Sequence, residues 1–403
     1  MIKRQTFFLV LVASLGYLVD IYDLILFSVV RVPSLRGIGL TDQDLLDKGV
    51  LLLNLQMTGM LLGGVAFGVL GDKFGRVSVL FGSILTYSVA NLANAFVHDI
   101  HTYALLRLIA GFGLAGELGA GITLVAETLP KEKRGIGTTI VASVGMIGAL
   151  MAWGVAKTFD WRTAFIVGGV MGLALLLLRM GVFESGMFKN VCEKGVRRGE
   201  FFMLFNSRSR MRRFFGSVMM GVPLWFMVGV MITLSPEFAQ VLNVQGLVEG
   251  GTSVFYCYSG LVFGDMCSGL LSQYLRSRKK SIAFSLILFA IGMAYFFLRR
   301  GESVGEFYAL CFFLGFSCGY WAMFATVAAE QFGTNMRATV ATCTPNFVRG
   351  SLVPVSAAFM ALKSDLGILN SGMVIGACVM TLGFLGLYMI DESYGKSMEF
   401  EER

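Results

Sequence analysis

The sequence predicts an all-α membrane protein whose twelve transmembrane helices form two pseudo-symmetric six-helix bundles. Three observations lead to this fold class: the composition, a set of long apolar segments, and landmarks that recur at a nearly constant offset. Of the 403 residues, 56% are hydrophobic and only 15% are charged, whereas soluble domains carry roughly 25% charged residues. The composition therefore excludes a string of water-soluble domains, and the low charge excludes a disordered chain.

Twelve segments are long and apolar enough to cross a bilayer core of about 30 Å, which takes about 20 helical residues. We number them span 1 to span 12 in chain order. They cover residues 6–30, 50–70, 78–97, 102–127, 136–158, 162–183, 214–242, 252–275, 281–298, 304–330, 338–362 and 367–390. Span 1 is too long for the core of a signal peptide and carries two aspartates, so we expect it to stay in the membrane.

The positive residues predict that both termini are cytoplasmic. The loops on one side hold Lys3, Arg4, Lys73, Arg76, Lys131, Lys133, Arg134, Arg276, Arg278, Lys279 and Lys280, and eight more lie between spans 6 and 7. The opposite loops hold few positive residues. This asymmetry explains the net charge of +7 without a nucleic-acid partner.

The two halves of the chain share landmarks. Glu127 and Arg134 recur 203 residues later as Glu330 and Arg337. Three glycines of span 2 recur in span 8, 201 residues later: Gly59, Gly63 and Gly68 correspond to Gly260, Gly264 and Gly269. A repeat of this kind implies two bundles related by an axis along the membrane normal.

The repeat sets the expected domain organisation. We expect an N-terminal bundle over residues 1–186, a cytoplasmic connector over 187–213 and a C-terminal bundle over 214–403. A binding site is expected between the bundles near the membrane midplane.

The loop between spans 2 and 3 carries a glycine–acid–base pattern. It reads Gly68-Val-Leu-Gly71-Asp72-Lys73-Phe-Gly75-Arg76. The glycines allow a tight turn and close approach of a neighbouring helix, and Asp72 can accept hydrogen bonds from a helix N-terminus. The plain alternative is an ordinary loop whose positive residues only fix the topology.

Together with the repeated Glu–Arg pairs, this loop resembles the major facilitator superfamily over the whole chain. Asp20-Ile-Tyr-Asp23, the run from Arg107 to Glu117, and Asn346-Phe-Val-Arg349 are similar to the metabolite, aromatic-acid and sialate/lactate proton symporters. The second-half loop departs from the pattern, because Gln273 stands where Asp72 stands in the first half.

The resemblance implies the major facilitator fold, a bacterial inner-membrane location and a set of gating residues. Asp72 would contact the start of span 11 when the protein faces outward. Glu127–Arg134 and Glu330–Arg337 would be ion-pair latches on the cytoplasmic face. The alternative is that both pairs only stabilise their loops, at about 1 kcal/mol each.

Six ionisable residues lie at membrane depth, where each costs roughly 2.5–3.5 kcal/mol and therefore indicates a pathway or a partner. They are Asp20, Asp23, Arg107, Glu117, Asp265 and Arg349. Asp20 and Asp23 are three residues apart and share one helix face, and Arg107 lies at nearly the depth of Asp23.

These charges predict a proton-coupling site. We expect Asp23, with Asp20 as its neighbour, to bind the proton and Arg107 to be the partner that protonation releases. The alternative is a static ion pair that holds spans 1 and 4 together. Glu117 is either a second proton site or a hydrogen-bonding residue in a glycine-rich packing seam.

Arg349 is the predicted contact for an anionic substrate, with Asn346 one turn away. A midplane guanidinium suits a carboxylate or phosphate, but pairing with Asp265 is an open alternative. The other residues assigned to the substrate site are Tyr22, Trp225, Tyr320 with its neighbour Trp321, and Asp265.

The sequence thus predicts a secondary active transporter, and not an enzyme, that symports a small organic anion with protons by alternating access. Its expected partners are a small-molecule substrate, protons and the lipid bilayer, with no cofactor, no metal and no nucleic acid, and we expect a monomer. The alternatives are a uniporter or proton-coupled exporter of a sugar, zwitterion or drug, and a non-transporting membrane receptor.

Overall fold

The computed structural model describes residues 2–119, 121, 125, 129, 131–179, 201–333 and 336–395. Six helices make up the described part of the first half. They are α1 (Ile2–Gly37), α2 (Leu45–Phe74), α3 (Arg76–Asn94), α4 (Ile100–Leu114), α5 (Lys131–Thr158) and α6 (Trp161–Arg179). They correspond in order to spans 1 to 6.

The second half is more broken. Its helices are α7 (Arg208–Phe226), α8 (Ser235–Val241), α9 (Gly250–Leu275), α10 (Arg278–Leu298), α11 (Val304–Ser317), α12 (Trp321–Glu330), α13 (Arg337–Gly350) and α14 (Leu352–Met389). A π-helical turn, Met227–Ile232, follows α7 directly. Span 7 therefore comprises α7, the π turn and α8, and span 10 comprises α11 and α12.

The predicted fold class is confirmed. Ten helices within the described ranges are long and apolar enough to cross a membrane. One of them, Thr339–Met389, holds both span 11 and span 12, which Gly367 separates at a φ of +73°. Span 4, described as a 15-residue helix, completes the set of twelve.

Four predicted spans are not the continuous helices that their hydropathy indicates. Span 4 has a turn after Leu114, and span 7 widens at the π turn. Span 10 breaks after Ser317, and span 11 is interrupted at Ser351 between α13 and α14. Of the predicted connector, residues 187–200 lie outside the described residues; Phe201–Phe205 form a short 3-10 helix, and α7 begins at Arg208, six residues before the predicted span. Backbone breaks of this kind depend on tertiary contacts that hydropathy does not register.

Two of the three glycine pairs of the repeat have equivalent packing roles in the two halves, whereas a methyl group on Gly269, unlike one on Gly68, would contact none of the described residues. A methyl group on Gly59 or Gly63 of α2 would overlap the α4 carbonyls of Leu108 and Phe112. On the equivalent Gly260 or Gly264 of α9 it would overlap the α11 carbonyls of Phe312 and Phe316. Both halves therefore depend on backbone-to-backbone packing of equivalent helix pairs, which small residues permit.

The two halves pack against each other through a few helix pairs: α2 against α13, α5 against α9, and α1 against α9. We call the end that holds residues 75, 129, 276–277 and 331–333 the inner end. The end that holds residues 38–44, 95–99, 159–160 and 242–249 is the outer end. The names follow the orientation that the positive residues predict.

Candidate functional site

An ion pair joins the two halves about midway between the two ends. Nη2 of Arg349 on α13 lies 3.7 Å from Oδ2 of Asp20 on α1. Both side chains are fully buried. Among the described residues, neither Asp20 oxygen has a hydrogen-bond partner. The attraction is therefore ionic and loose, and the carboxylate is well placed to exchange its partner.

The guanidinium of Arg349 is enclosed by aromatic rings. Its Cζ atom lies 5.8 Å from the ring centre of Trp225 and 5.7 Å from that of Trp321. Nη1 donates to Oδ1 of Asn346 over 3.4 Å. Within the described part of the chain, Nε and Nη2 of Arg349 and Nε1 of Trp225 donate no hydrogen bond. Three donor nitrogens are thus available to an oxygen-bearing ligand.

Two neutral hydrogen bonds also cross between the halves beside this pair. Nε1 of Trp321 donates to the hydroxyl of Tyr17 on α1 over 2.9 Å. Nδ2 of Asn346 donates to the carbonyl of Ala115, at the end of α4, over 2.8 Å. Trp321 and Asn346, which surround Arg349 in the second half, therefore also form hydrogen bonds to the first half.

The halves touch on both sides of the central pair. Toward the outer end, cross-half contacts join Ser28 to Thr233, Arg31 to Glu237, Asp47 to Lys363, Asn54 to Ser356, and Lys157 to Glu249. Toward the inner end, Gly64 and Gly68 of α2 lie against Asn346 and Cys343 of α13. The centre is therefore enclosed from both ends in this conformation.

The predicted ion pair between Asp23 and Arg107 is wrong for this conformation. Arg107 instead donates a hydrogen bond through Nη2 to Oε1 of Gln56 on α2. Its Cζ lies 5.0 Å from the ring centre of Phe27 and 5.7 Å from that of Phe165. The tight packing of Gly111 against the backbone of Gln56 brings α2, and not α1, to the guanidinium.

Asp20 and Asp23 point in different directions, although they are three residues apart. Asp23 is fully buried inside the first half, against Gly168 of α6, and within the described residues neither of its oxygens has a hydrogen-bond partner. Asp20 faces the second half. The expected sharing of one face is therefore only approximate, and the step of about 60° between positions i and i+3 separates the two carboxylates.

Glu117 forms an ion pair that the sequence analysis missed. Nη1 of Arg179, in the last turn of α6, donates to Oε2 of Glu117 over 3.0 Å. Nη2 of Arg179 also donates to Oε1 of Glu117. Both side chains are buried. Gly16 of α1 leaves room for this pair, because a methyl group there would overlap both charged groups.

Three residues assigned to the substrate site have other contacts. The Tyr22 hydroxyl donates to the carbonyl of Ala164 over 2.9 Å, and the Tyr320 hydroxyl donates to the carbonyl of Met220 over 3.0 Å. Asp265 accepts a hydrogen bond from the backbone of Ala322 over 3.2 Å. The alternative in which Asp265 pairs with Arg349 is wrong for this conformation, because Asp20 occupies that position.

Comparison with known proteins agrees with this architecture. The family model described as Major Facilitator Superfamily matches residues 13–351. The chain belongs to the major facilitator superfamily.

Named relatives of the chain within this superfamily are bacterial transporters. A "Probable 4-methylmuconolactone transporter" of Cupriavidus pinatubonensis is 24% identical, over 95% of this chain and 90% of the relative. "Niacin transporter NiaP" of Acinetobacter baylyi is also 24% identical, over 96% and 94%. The "Cis,cis-muconate transport protein" of the same species is 26% identical, over 95% and 94%.

A solved structure shows the same fold. The proton:xylose symporter XylE bound to 6-bromo-6-deoxy-D-glucose superposes with a TM-score of 0.77 at 16% sequence identity, covering 99% of this chain and 98% of that one. At this identity the likeness extends to the fold alone.

Part of the gating set predicted from the superfamily resemblance can be placed. Gly68 lies against Cys343 at the seam between the halves, and Gly71 lies against Val79 of α3. Gly75 turns the chain from α2 into α3 at a φ of +101°, which only glycine adopts without strain. The following lie outside the described residues or have side chains that do: Asp72, Arg76, Glu127, Arg134 and Arg337.

Glu330, the remaining latch residue, has partners within the second half. Its Oε2 accepts from the Ser393 hydroxyl over 2.6 Å, and its Oε1 lies 3.6 Å from Nη2 of Arg278. These contacts tie the end of α12 to the start of α10 and to the segment after α14. Glu330 thus joins parts of one bundle in this conformation.

Two site residues escaped the sequence analysis although a signal was present. Arg179 is a cation inside the predicted span 6, and Gln56 is an amide inside the predicted span 2. Treating every polar residue within a predicted span as a partner for another would have found both.

Proposed function

We propose that this major facilitator protein symports a small organic anion with protons by alternating access, in a bacterial inner membrane with both termini in the cytoplasm. The observation that carries the proposal is the enclosed Asp20–Arg349 pair between the halves. A cation with unused N–H donors can bind a carboxylate, and the acid that now neutralises it can bind a proton.

Charge balance in the enclosed centre supplies the coupling. With neither substrate nor proton bound, Asp20 neutralises Arg349, and with both bound, the substrate anion neutralises it instead. A proton alone leaves an uncompensated cation, and a substrate alone leaves an excess anion. An unpaired buried charge costs several kcal/mol, so only the empty and the doubly loaded carrier pass through the enclosed state.

The aromatic walls favour a substrate with a flat or unsaturated body. Trp225 and Trp321 flank the guanidinium, and planar groups stack on such rings at about 0.5–1.5 kcal/mol beyond their buried area. The relatives named for muconolactone, niacin and muconate support the same chemical class.

Proteoliposome uptake tests the proposal directly. We expect an inward proton gradient to raise the initial uptake of one or more aromatic or unsaturated carboxylates at least about tenfold over the same vesicles without a gradient. A protonophore should remove the stimulation. Neutral sugars and amino acids of similar size serve as controls. Carboxylate uptake that is indifferent to the gradient, or gradient-driven uptake of sugars only, would contradict the proposal.

The outer contacts provide a separate prediction about gating. Nη2 of Arg31 donates to both oxygens of Glu237 over 2.6 and 2.8 Å, and Arg31 is 1% exposed. Hydrogen bonds to charged groups contribute about 1.5–3 kcal/mol. We therefore expect Glu237→Gln to raise about tenfold the rate at which Ser28→Cys, behind this pair, reacts with an external thiol reagent in a cysteine-free background.

Glu302→Gln is the matched control for that measurement, because Glu302 pairs with Arg299 within the second half alone. It should leave the labelling rate unchanged. Equal rates in both variants would show that the Arg31–Glu237 pair does not hold the outer end closed.

A further inference from the structure

The break in span 10 contains a buried acid that the coupling scheme does not use. α11 ends at Ser317, and α12 begins at Trp321 inside the membrane-spanning region. The first N–H groups of a helix have no partner within the helix and carry partial positive charge. Asp265 of α9 meets this end, since its Oδ1 accepts from the N–H of Ala322 over 3.2 Å.

Close packing of the backbone brings Asp265 against the break. A methyl group on Gly319 would come within 2.5 Å of the Asp265 amide nitrogen, so α9 and the break are in direct backbone contact. The Asp265 side chain is 5% exposed. Its second oxygen, Oδ2, is buried and has no hydrogen-bond partner in the described ranges.

The surroundings of Asp265 hold no compensating cation within the described side chains. Tyr17 of α1 interacts electrostatically with Asp265, with Asp20 and with Arg349, and Arg349 is itself paired with Asp20. Several described charged groups on the other helices that pack against α9 have partners at the bundle ends. These pairs are Lys157–Glu249 for α5, Arg278–Glu330 for α10 and α12, and Glu306–Ser303 for α11. Lys279 of α10 donates to the carbonyl of Ile390, and Lys280 is exposed at the start of that helix.

The residue that Asp265 positions also joins the two halves. Trp321 is the first residue of α12, and Asp265 accepts a hydrogen bond from the N–H of the next residue, Ala322. The Trp321 indole donates a hydrogen bond to the Tyr17 hydroxyl across the interface between the halves, and it lies against Arg349. An ionised carboxylate favours the helix end through its charge, whereas the neutral acid keeps at most the hydrogen bond.

We propose that Asp265 is a positioning residue for Trp321 and that protonation of its carboxylate releases the Trp321–Tyr17 contact between the halves. Asp265 would be a second proton-responsive group, distinct from Asp20, which pairs with Arg349. Its part in transport rests on the proposed symport, but the contact itself can be followed without any substrate.

Trp321 fluorescence tests the proposal. The variant W153F/W161F/W225F retains Trp321 alone, and its emission is recorded in nanodiscs between about pH 4 and pH 9, with iodide as a quencher. We expect acidification to shift the emission to longer wavelength and to raise quenching at least about twofold. Asp265→Asn should fix both signals, at every pH, at the values that the parent reaches in acid.

Asp23→Asn in the same background is the matched control, because it removes another buried carboxyl of α1, one that lies inside the first half, and should keep the pH response. A response that persists in Asp265→Asn, or that disappears in Asp23→Asn alone, would overturn the proposal. If Asp265→Asn does not fold, Tyr17→Phe replaces it. This variant lacks the hydroxyl that accepts the hydrogen bond from Trp321, so the pH response of the fluorescence should be absent. A pH response that survives in Tyr17→Phe would also contradict the proposal.

Failure of this test is distinguishable from failure of the proposed function. The fluorescence experiment contains no substrate and no gradient, so its negative result removes Asp265 from the scheme and leaves symport intact. Uptake that does not depend on the proton gradient would contradict the proposed symport but would not affect the interpretation of the fluorescence result.

Discussion

Asp20→Asn should stop net uptake and leave substrate exchange almost unchanged. Asparagine cannot ionise, so Arg349 has no counter-ion when the carrier is empty, and an unpaired buried charge costs several kcal/mol. Return of the empty carrier should therefore slow about 100-fold, because each 1.36 kcal/mol on a barrier is a factor of ten. Exchange of labelled for unlabelled substrate avoids that step, since the bound anion neutralises Arg349 throughout.

The measurement compares net uptake with counterflow in the same proteoliposomes, and Asp23→Asn is the control. Asp23 lies inside the first half against Gly168 of α6, so its substitution should preserve the ratio of the two rates. Loss of net uptake in Asp23→Asn with exchange retained would identify Asp23, and not Asp20, as the residue that binds the transported proton. Gradient-driven accumulation by Asp20→Asn at the wild-type level would contradict the charge-balance scheme.

Arg349→Ala should lose both the substrate and part of the stability of the fold. Removal of the guanidinium takes away the charge-assisted donors, which contribute about 1.5–3 kcal/mol each. Carboxylate affinity should therefore fall about 100-fold or more in an equilibrium binding assay. The variant also leaves Asp20 buried without a partner, at a cost of about 3–5 kcal/mol, so the apparent Tm should fall.

The double variant D20N/R349A separates these two effects. It removes the stranded carboxylate, so the apparent Tm should recover toward the wild-type value, while carboxylate binding stays absent. Arg299→Ala, which removes an exposed arginine at the outer end, should change neither quantity. Full carboxylate binding by Arg349→Ala would assign the residue to the scaffold alone.

The architecture was predictable because it depends on quantities that the chain displays locally. Span length and hydropathy define which segments cross the membrane, and the recurrence of Gly59 and Gly63 as Gly260 and Gly264 reports packing that both halves need. The break before Trp321 was not predictable, because the acid that meets the new helix end, Asp265, lies on a different span. Hydropathy averages over such a break.

The site was predictable in its members and less so in its pairing. Charge at membrane depth singled out Asp20 and Arg349, which do meet between the halves. Asn346, one turn from Arg349, accepts a hydrogen bond from it. Depth along a helix, however, does not give the direction in which a side chain points. Depth alone therefore predicts that Arg107 faces Asp23, whereas the close approach of α2 at Gly111 supplies Gln56 instead.

The π turn in span 7 sets the helical phase between two working surfaces. In it, the N–H of Thr233 donates to the carbonyl of Val228, five residues back, so the segment accommodates one residue more than an α-helix would. Each residue rotates a helix by about 100°. Trp225 lies before this turn against Arg349, and Glu237 lies after it against Arg31. Deletion of one residue from the turn would therefore rotate one of these side chains by about 100° relative to the other.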